Sequence, residues 1–387
     1  MTESTIADYV RTIRPHLKRG VFHPARSRLW WLPTHLLIIT LCIGALQQRI
    51  VPWILAPIVS LVIGLSYAGL TFLAHETLHG AIVRGPRLRY LVGWLGFSPF
   101  VVSPRLWVSW HNRVHHGNTQ LEGKDPDAYP TLHEYRKSRM IRLATWIAPG
   151  LRRLRGASTP LIGFSVQSIH MLLEARVRGF LSAKQQAYAV AETLLGVASW
   201  TALGVTMGGV IFVFAFVLPL LVANAIVMSF ILTNHSLSPL TETNDPLRNS
   251  LSVTTPRIVE WLTLGFGYHV EHHLFPAMSA RHAPNVCALL RAHYPGRYQS
   301  MPLCRATAAL HSSARVYKDA TTLIDPRSGR EWPALRESEV SGVSEASDAS
   351  GFRQAPQLML VNGQATVRMP PASRRPPPSV PPESTRP

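Results

Sequence analysis

The chain has 387 residues, of which 47% are hydrophobic and only 16% charged, against about 25% charged in an ordinary soluble domain. Its net charge of +18 comes without any RNA- or DNA-binding signature, which points to basic flanks on a membrane protein in preference to a nucleic-acid surface. Cys42, Cys287 and Cys304 have no paired spacing, so a disulfide framework and a zinc finger are excluded.

In chain order, residues 1–29 form a basic segment, with Arg11, Arg14, Lys18, Arg19, Arg26 and Arg28 against two acids. The apolar stretch 30–47 reads as a first membrane span, closed by the turn Gln47-Gln48-Arg49. The second span, 51–74, carries no charge; at 1.5 Å per residue it reaches about 36 Å, enough to cross with some tilt. The stretch 90–108 is apolar but broken by glycine and proline, which reads as a re-entrant or interfacial segment in preference to a fifth span. Residues 136–185 mix arginines with leucines and isoleucines and suit amphipathic helices at the interface. From Thr193 to Asn234 there are 42 residues without a charge, too many for one span. Gly208-Gly209 divides them into helices at about 187–206 and 210–232. From residue 333 the chain turns Ser-, Glu- and Pro-rich, and disorder is expected over 333–387.

The architecture expected is an all-α integral membrane protein of four transmembrane helices in two hairpins. A membrane domain over 30–325 would carry a cytoplasmic histidine-rich metal-binding cap at 75–186 and 233–325. The positive-inside rule sets the orientation. The basic N-terminal segment is cytoplasmic, and Arg176, Arg178 and Lys184 place the start of the third span on that side too. Both termini are then cytoplasmic, in an inner or ER-type membrane, and the Gly208-Gly209 turn faces outside.

Nine of the 17 histidines fall into four short groups. These are His75 and His79; His111, His115 and His116; His235 after Asn234; and His269, His272 and His273. Residues i and i+4 of a helix share a face, so His75 and His79 can grip one metal, and 269–273 puts three imidazoles on one side. The orientation argued from arginines alone puts all four groups on the cytoplasmic face. His16, His23, His35, His133, His170, His282, His293 and His311 are scattered and read as ordinary core or surface residues. Nine imidazoles are too many for one ion, and two metals with four or five nitrogens each would use them all. Imidazole suits several transition metals; a lipid-side site needing two ions points to redox chemistry, and iron is the pair suited to O₂.

The boxes H-E-T-L-H, H-N-R-V-H-H-G-N-T and Y-H-V-E-H-H-L-F-P resemble those of the membrane fatty acid desaturases, over about residues 30–285. The resemblance implies four transmembrane helices, a non-haem di-iron centre and an apolar tunnel for an acyl chain. It implies His75, His79, His111, His115, His116, His235, His269, His272 and His273 as metal ligands. Two departures stand out. In animal stearoyl-CoA desaturases an asparagine four residues before the equivalent of His235 holds a metal-bound water; in this chain Ile231 stands there, and the asparagine is Asn234, adjacent to His235. The third box opens with His where front-end desaturases have Gln, and no fused cytochrome b5 signature is present. Candidate supports for the imidazoles are Glu76, Asn112, Asp125, Asp127, Asn234 and Glu271. Trp107, Trp110, Tyr268 and Phe275 are candidate tunnel residues.

The function expected is O₂-dependent desaturation of an acyl chain, carried as an acyl-lipid or acyl-CoA. No flavin or NAD fingerprint occurs, so electrons would come from an acidic partner such as a ferredoxin or a cytochrome b5-like protein. A rival keeps the metals and hydroxylates or ketolates a carotenoid or other lipid. A transporter or non-enzymatic metal-binding protein ranks below both, because the spans are nearly free of polar groups at mid-membrane.

Overall fold

The structure, a computed structural model, describes residues 5–152, 156, 158–335, 357–361 and 364–368. Among them are four helices long and apolar enough to cross a membrane: Arg19–Gln47, Trp53–Leu78, Ala183–Met207 and Gly209–His235. The regular parts of the first two are α2 (Trp31–Gln47) and α3 (Ala56–Leu78), preceded by a short amphipathic helix α1 (Ile6–Ile13). The expected second span, 51–74, ends a turn too early. The helix continues through His75 and Glu76, because that turn is packed and buried, and hydropathy is blind to helical residues that are polar for a reason other than solvent contact.

Two helices follow α3: α4 (Pro86–Phe97) and α5 (Pro104–Asn118). Pro86–Phe100 and Pro104–Asn118 are bent by 101° against each other. This is the glycine- and proline-broken stretch of the sequence, and the bend keeps it from forming one straight span. Next come two short helices, Leu132–Lys137 and Arg139–Ile147, and the longer α6 (Ser158–Glu174). The last two candidate spans are α7 (Ala183–Met207) and α8 (Gly209–His235). A capping box closes the start of α7, Ser182 Oγ accepting the Gln185 amide while the Gln185 side chain accepts the Ser182 amide, four residues before the expected 187.

Helix α3 is the hub, packed on α2, α4 and α8, while α8 also packs on α6. The α3–α8 approach is close at Gly64, where a Cβ would lie 2.6 Å from Val222 Cβ. Outward faces carry Leu37, Leu41, Leu61, Leu194, Leu195 and Val205, all exposed, as a lipid-facing surface requires.

The part of the chain after α8 departs from an all-α reading. Strand β1 (Ser252–Thr254) pairs in parallel with β2 (Ser300–Pro302), and β3 (Tyr317–Asp319), β4 (Thr322–Ile324) and β5 (Glu331–Pro333) form an antiparallel sheet. Three-residue strands carry too little period to be read from sequence. Between these strands lie α9 (Arg257–Leu262), α10 (His269–Leu274) and α11 (Ala283–His293). The N-terminal segment is part of this layer: Tyr9, Ile13, Leu17 and Val21 are buried together with Val270, Leu274 and Val286. Within the expected disordered tail the structure describes an antiparallel pair, β6 (Gln357–Val361) and β7 (Gln364–Arg368); the rest of 336–387 lies outside the described residues.

Candidate metal centre

The nine box and span-end histidines converge from four helices. α3 carries His75 in its last turn and delivers His79 at its C-cap. α5 carries His111, His115 and His116, α8 ends on His235, and α10 carries His269, His272 and His273. From Val108 to His115 the α5 backbone is wound as a π-helix, and the His116 amide bonds the His111 carbonyl. That i to i+5 winding turns His111 and His116 toward one group of rings while His115 faces another.

The rings sort into two adjoining clusters. Ring nitrogens of His75, His79, His111 and His272 all lie within 4.8 Å of one another, as do those of His115, His235 and His273. His116 joins the first cluster, its Nε2 3.1 Å from His272 Nε2. His269 joins the second, its Nε2 2.6 Å from His235 Nε2 and 3.1 Å from His273 Nε2. The clusters meet where the His116 ring stacks on that of His273 at 4.3 Å. The three imidazoles of α10 are therefore divided, not gathered on one side as expected. An α-helix presents i+3 about 60° to one side of i and i+4 about 40° to the other, so His272 reaches the first cluster while His269 and His273 stay with the second. None of the eight scattered histidines belongs to either cluster.

Three rings of the second cluster are fixed through Nδ1. His115 Nδ1–H donates to Asp125 Oδ1 at 2.9 Å, and His235 Nδ1–H to the Asn249 carbonyl at 3.3 Å. Thr119 Oγ1 donates to the His115 carbonyl at 2.9 Å and so accepts from His273 Nδ1–H at 3.2 Å. A proton committed to Nδ1 leaves the Nε2 lone pair pointing into the cluster, the orientation a metal ligand needs. His235 Nε2 and His273 Nε2 therefore both present lone pairs to His269 Nε2, at 2.6 Å and 3.1 Å, and the buried His79 Nε2 finds no partner. A cation among these Nε2 atoms would satisfy them, so the donor set fits metal ions.

Electrostatics agrees with that chemistry for the rings of α10, whereas burial is outweighed at His115, which Asp125 and Asp127 push up to about 9. Burial, then the neighbouring rings, push His269 and His273 well below the ordinary histidine value, and burial with His115 pushes His272 down to about 3. Neutral imidazole is the ligating form. Asp125 is opposed by burial, but the His115 ring and the Gln120 and Asp127 amides hold its carboxyl below the ordinary value. Burial, helped by the Asp125 charge, raises Asp127. Its carboxylate accepts from Trp110 Nε1 at 2.9 Å and Gln167 Nε2 at 2.7 Å, with Oδ2 at 3.4 Å from His115 Nδ1.

The family model for fatty acid desaturases matches residues 52–303. The chain belongs to the fatty acid desaturase family. That match covers three of the four candidate spans, from Trp53 on, and all nine clustered histidines.

Other residues singled out in the sequence of this desaturase-family protein take different places. Glu76 pairs with Arg28 and accepts the Ala280 amide at 2.9 Å. It ties the N-terminal segment and the loop after the third box to the end of α3, and touches no histidine through these bonds. Asn112 Nδ2 donates to the Leu78 carbonyl at 3.1 Å, joining the first and second boxes. Glu271 accepts from Ser252 Oγ at 2.7 Å and Tyr298 Oη at 2.6 Å, pinning α10 to β1. Asn234 is fully buried, and both its side-chain polar atoms lack a hydrogen-bond partner. Trp107 and Trp110 line an apolar cavity beside the histidines, together with Phe72, Phe97, Phe164, Ile231 and Phe266. Tyr268 lines a separate open cavity, and Phe275 packs on Phe22.

Sequence reasoning missed Thr119, Gln120, Ser252 and the Asn249 carbonyl. Gln120 Nε2 donates to the His235 carbonyl at 3.0 Å and to Tyr317 Oη at 3.0 Å. Ser252 Oγ accepts the His269 and Val270 amides. The polar run Asn118-Thr119-Gln120 straight after the second box was a usable signal; Ser252 and Asn249 carried none.

Proposed function

We propose that the two clusters hold two iron ions, one on His75, His79, His111, His116 and His272, the other on His115, His235, His269 and His273. The observation that carries this reading is the shared wall. His75, His111, His115, His235 and His269 line the same cavity as Phe72, Phe97, Trp107 and Phe164, so a metal-binding surface and an apolar chain-binding surface are one site. The reaction is desaturation of an acyl chain: –CH₂–CH₂– + O₂ + 2e⁻ + 2H⁺ → –CH=CH– + 2H₂O. Bound iron supplies O₂ activation strong enough to remove hydrogen from an unactivated methylene.

The protein's own residues do the rest. The aromatic walls hold the chain against the histidines and keep water away. Asp125, Thr119 and the Asn249 carbonyl fix the tautomers of His115, His273 and His235. Asp127 holds Trp110 and Gln167, which places α6 against the cavity. The cap faces the cytoplasm in this reading, with both termini on that side, and a one-electron carrier with an acidic surface meets the basic face. The apolar walls suit the hydrocarbon chain, which an acyl-lipid and an acyl-CoA share.

Desaturation and hydroxylation share the first hydrogen abstraction and diverge afterwards, so the test follows the oxygen. Saturated acyl substrate is supplied with ¹⁸O₂ and reductant to the metal-loaded protein in lipid nanodiscs. A product two mass units lighter and free of label is expected. A dominant ¹⁸O-labelled alcohol or ketone would replace desaturation with hydroxylation or ketolation.

A further inference from the structure

Span α7 carries none of the clustered histidines, yet one of its faces grips the element that carries three of them. Glu192, Gly196 and Trp200 are spaced i, i+4 and i+8 and share that face. All three meet the elbow between α4 and α5. Glu192 Oε2 accepts Ser103 Oγ–H at 2.6 Å, and its Oε1 accepts Arg105 Nε–H at 2.6 Å. Ser103 is the N-cap of α5, its Oγ accepting the Arg105 and Leu106 amides at 3.2 and 3.3 Å. The Arg105 guanidinium sits over the rings of Tyr90 and Tyr188, at 5.5 and 5.1 Å. Trp200 Nε1 donates to the Ser98 carbonyl at 2.7 Å. A Cβ on Gly196 would come within 3.2 Å of Val101 Cγ1. Val101 has φ 51° and ψ 31°, a left-handed conformation that a β-branched residue keeps only where its surroundings impose it.

From this elbow α5 runs directly to Trp107 and Trp110 in the cavity wall and to His111, His115 and His116. An error in the direction of a helix grows with distance from its start, so the grip at Ser103 sets where those rings lie. We propose that Glu192 is a positioning residue for the second histidine box, acting from a membrane span through Ser103 and Arg105. The inference rests on the metal-centre reading above.

The test compares Glu192→Ala, Glu192→Gln and Glu174→Ala in full-length protein loaded with iron. Glu174 forms a similar carboxylate–arginine pair with Arg178 at the exposed end of α6 and serves as control. The readouts are metal lost to a chelator, metal bound per chain, and turnover. Support around metal ligands is worth at least about tenfold in metal affinity, so Glu192→Ala is expected to release metal to the chelator about tenfold more readily and to turn over more slowly. Glu192→Gln, which keeps the shape and most of the hydrogen bonding, is expected to recover most of both, and Glu174→Ala to match wild type. Wild-type metal retention in Glu192→Ala would overturn the inference. If Glu192→Ala does not fold, Gly196→Ala decides, since one methyl pressed on Val101 shifts the same elbow. Easier metal loss there supports the role, and wild-type retention overturns it. Wild-type protein that binds no iron would remove the metal-centre reading, and this inference with it.

Discussion

Replacing Asp125 with asparagine isolates the support given to one ring of the second cluster. The Asp125 side chain is fully enclosed, and its two oxygens meet only donors. Oδ1 accepts His115 Nδ1–H at 2.9 Å and the Asp127 amide at 3.0 Å, and Oδ2 accepts the Gln120 amide at 2.8 Å. Asparagine has the same shape but one oxygen. Turned one way, its NH₂ faces the Gln120 amide; turned the other way, it faces His115 and the Asp127 amide. Either leaves a buried donor unmet, at about 1–3 kcal/mol, and removes the negative charge that stabilises His115 as a ligand. Loss of such a partner costs about 10- to 100-fold in metal affinity. The assay is chelator challenge of the purified, iron-loaded protein, with metal counted over time. Asp125→Asn is expected to lose one of its two ions about 10- to 100-fold more readily and to retain the other as wild type does, since His75, His79, His111, His116 and His272 do not touch the carboxylate. Two ions held as tightly as in wild type would refute the orientation of His115 by Asp125.

Replacing His272 or His235 with alanine should each lower bound iron toward one ion per chain and abolish product, while the protein stays in the membrane; stoichiometric metal by mass spectrometry checks this, and stoichiometric zinc with full activity would defeat the redox reading. Arg28→Ala leaves Glu76 buried without its cation and should destabilise the fold by about 3–5 kcal/mol, read as a lowered midpoint in thermal or denaturant unfolding in detergent. A stop after residue 335 should keep activity within a few-fold in a turnover assay, because 336–387 contains no histidine and the bond of the Leu335 amide to the Leu237 carbonyl at 2.9 Å is retained. A cysteine at Gly208 should react with an impermeant thiol reagent only from the side of the membrane opposite the histidines, and labelling from the same side as a cysteine beside His273 would overturn the orientation.

What could be read from the sequence was carried by composition and by local spacing. Charge-free blocks as long as Val51–Ala74 and Thr193–Asn234 read as membrane helices, because they exceed the about 20 apolar residues that a span needs. Histidines at i and i+4 declare a shared helix face whatever the rest of the chain does. Hydropathy also placed the break at 90–108, because glycine and proline act on their own backbone. Tertiary structure decided everything that depends on direction. The π-winding of Val108–His115 sends His111 and His116 one way and His115 the other, which spacing on a regular helix does not reveal. His272 parts from its neighbours His269 and His273 because its partners arrive on α3 and α5, more than 150 residues earlier. Asp125 reaches a histidine while Glu76 and Glu271 turn to Arg28 and Tyr298, although all three acids lie within or close after a box. A side chain's type and spacing are local properties, written in the sequence; the partner it meets is set by how distant helices pack, and that exists only once the chain has folded.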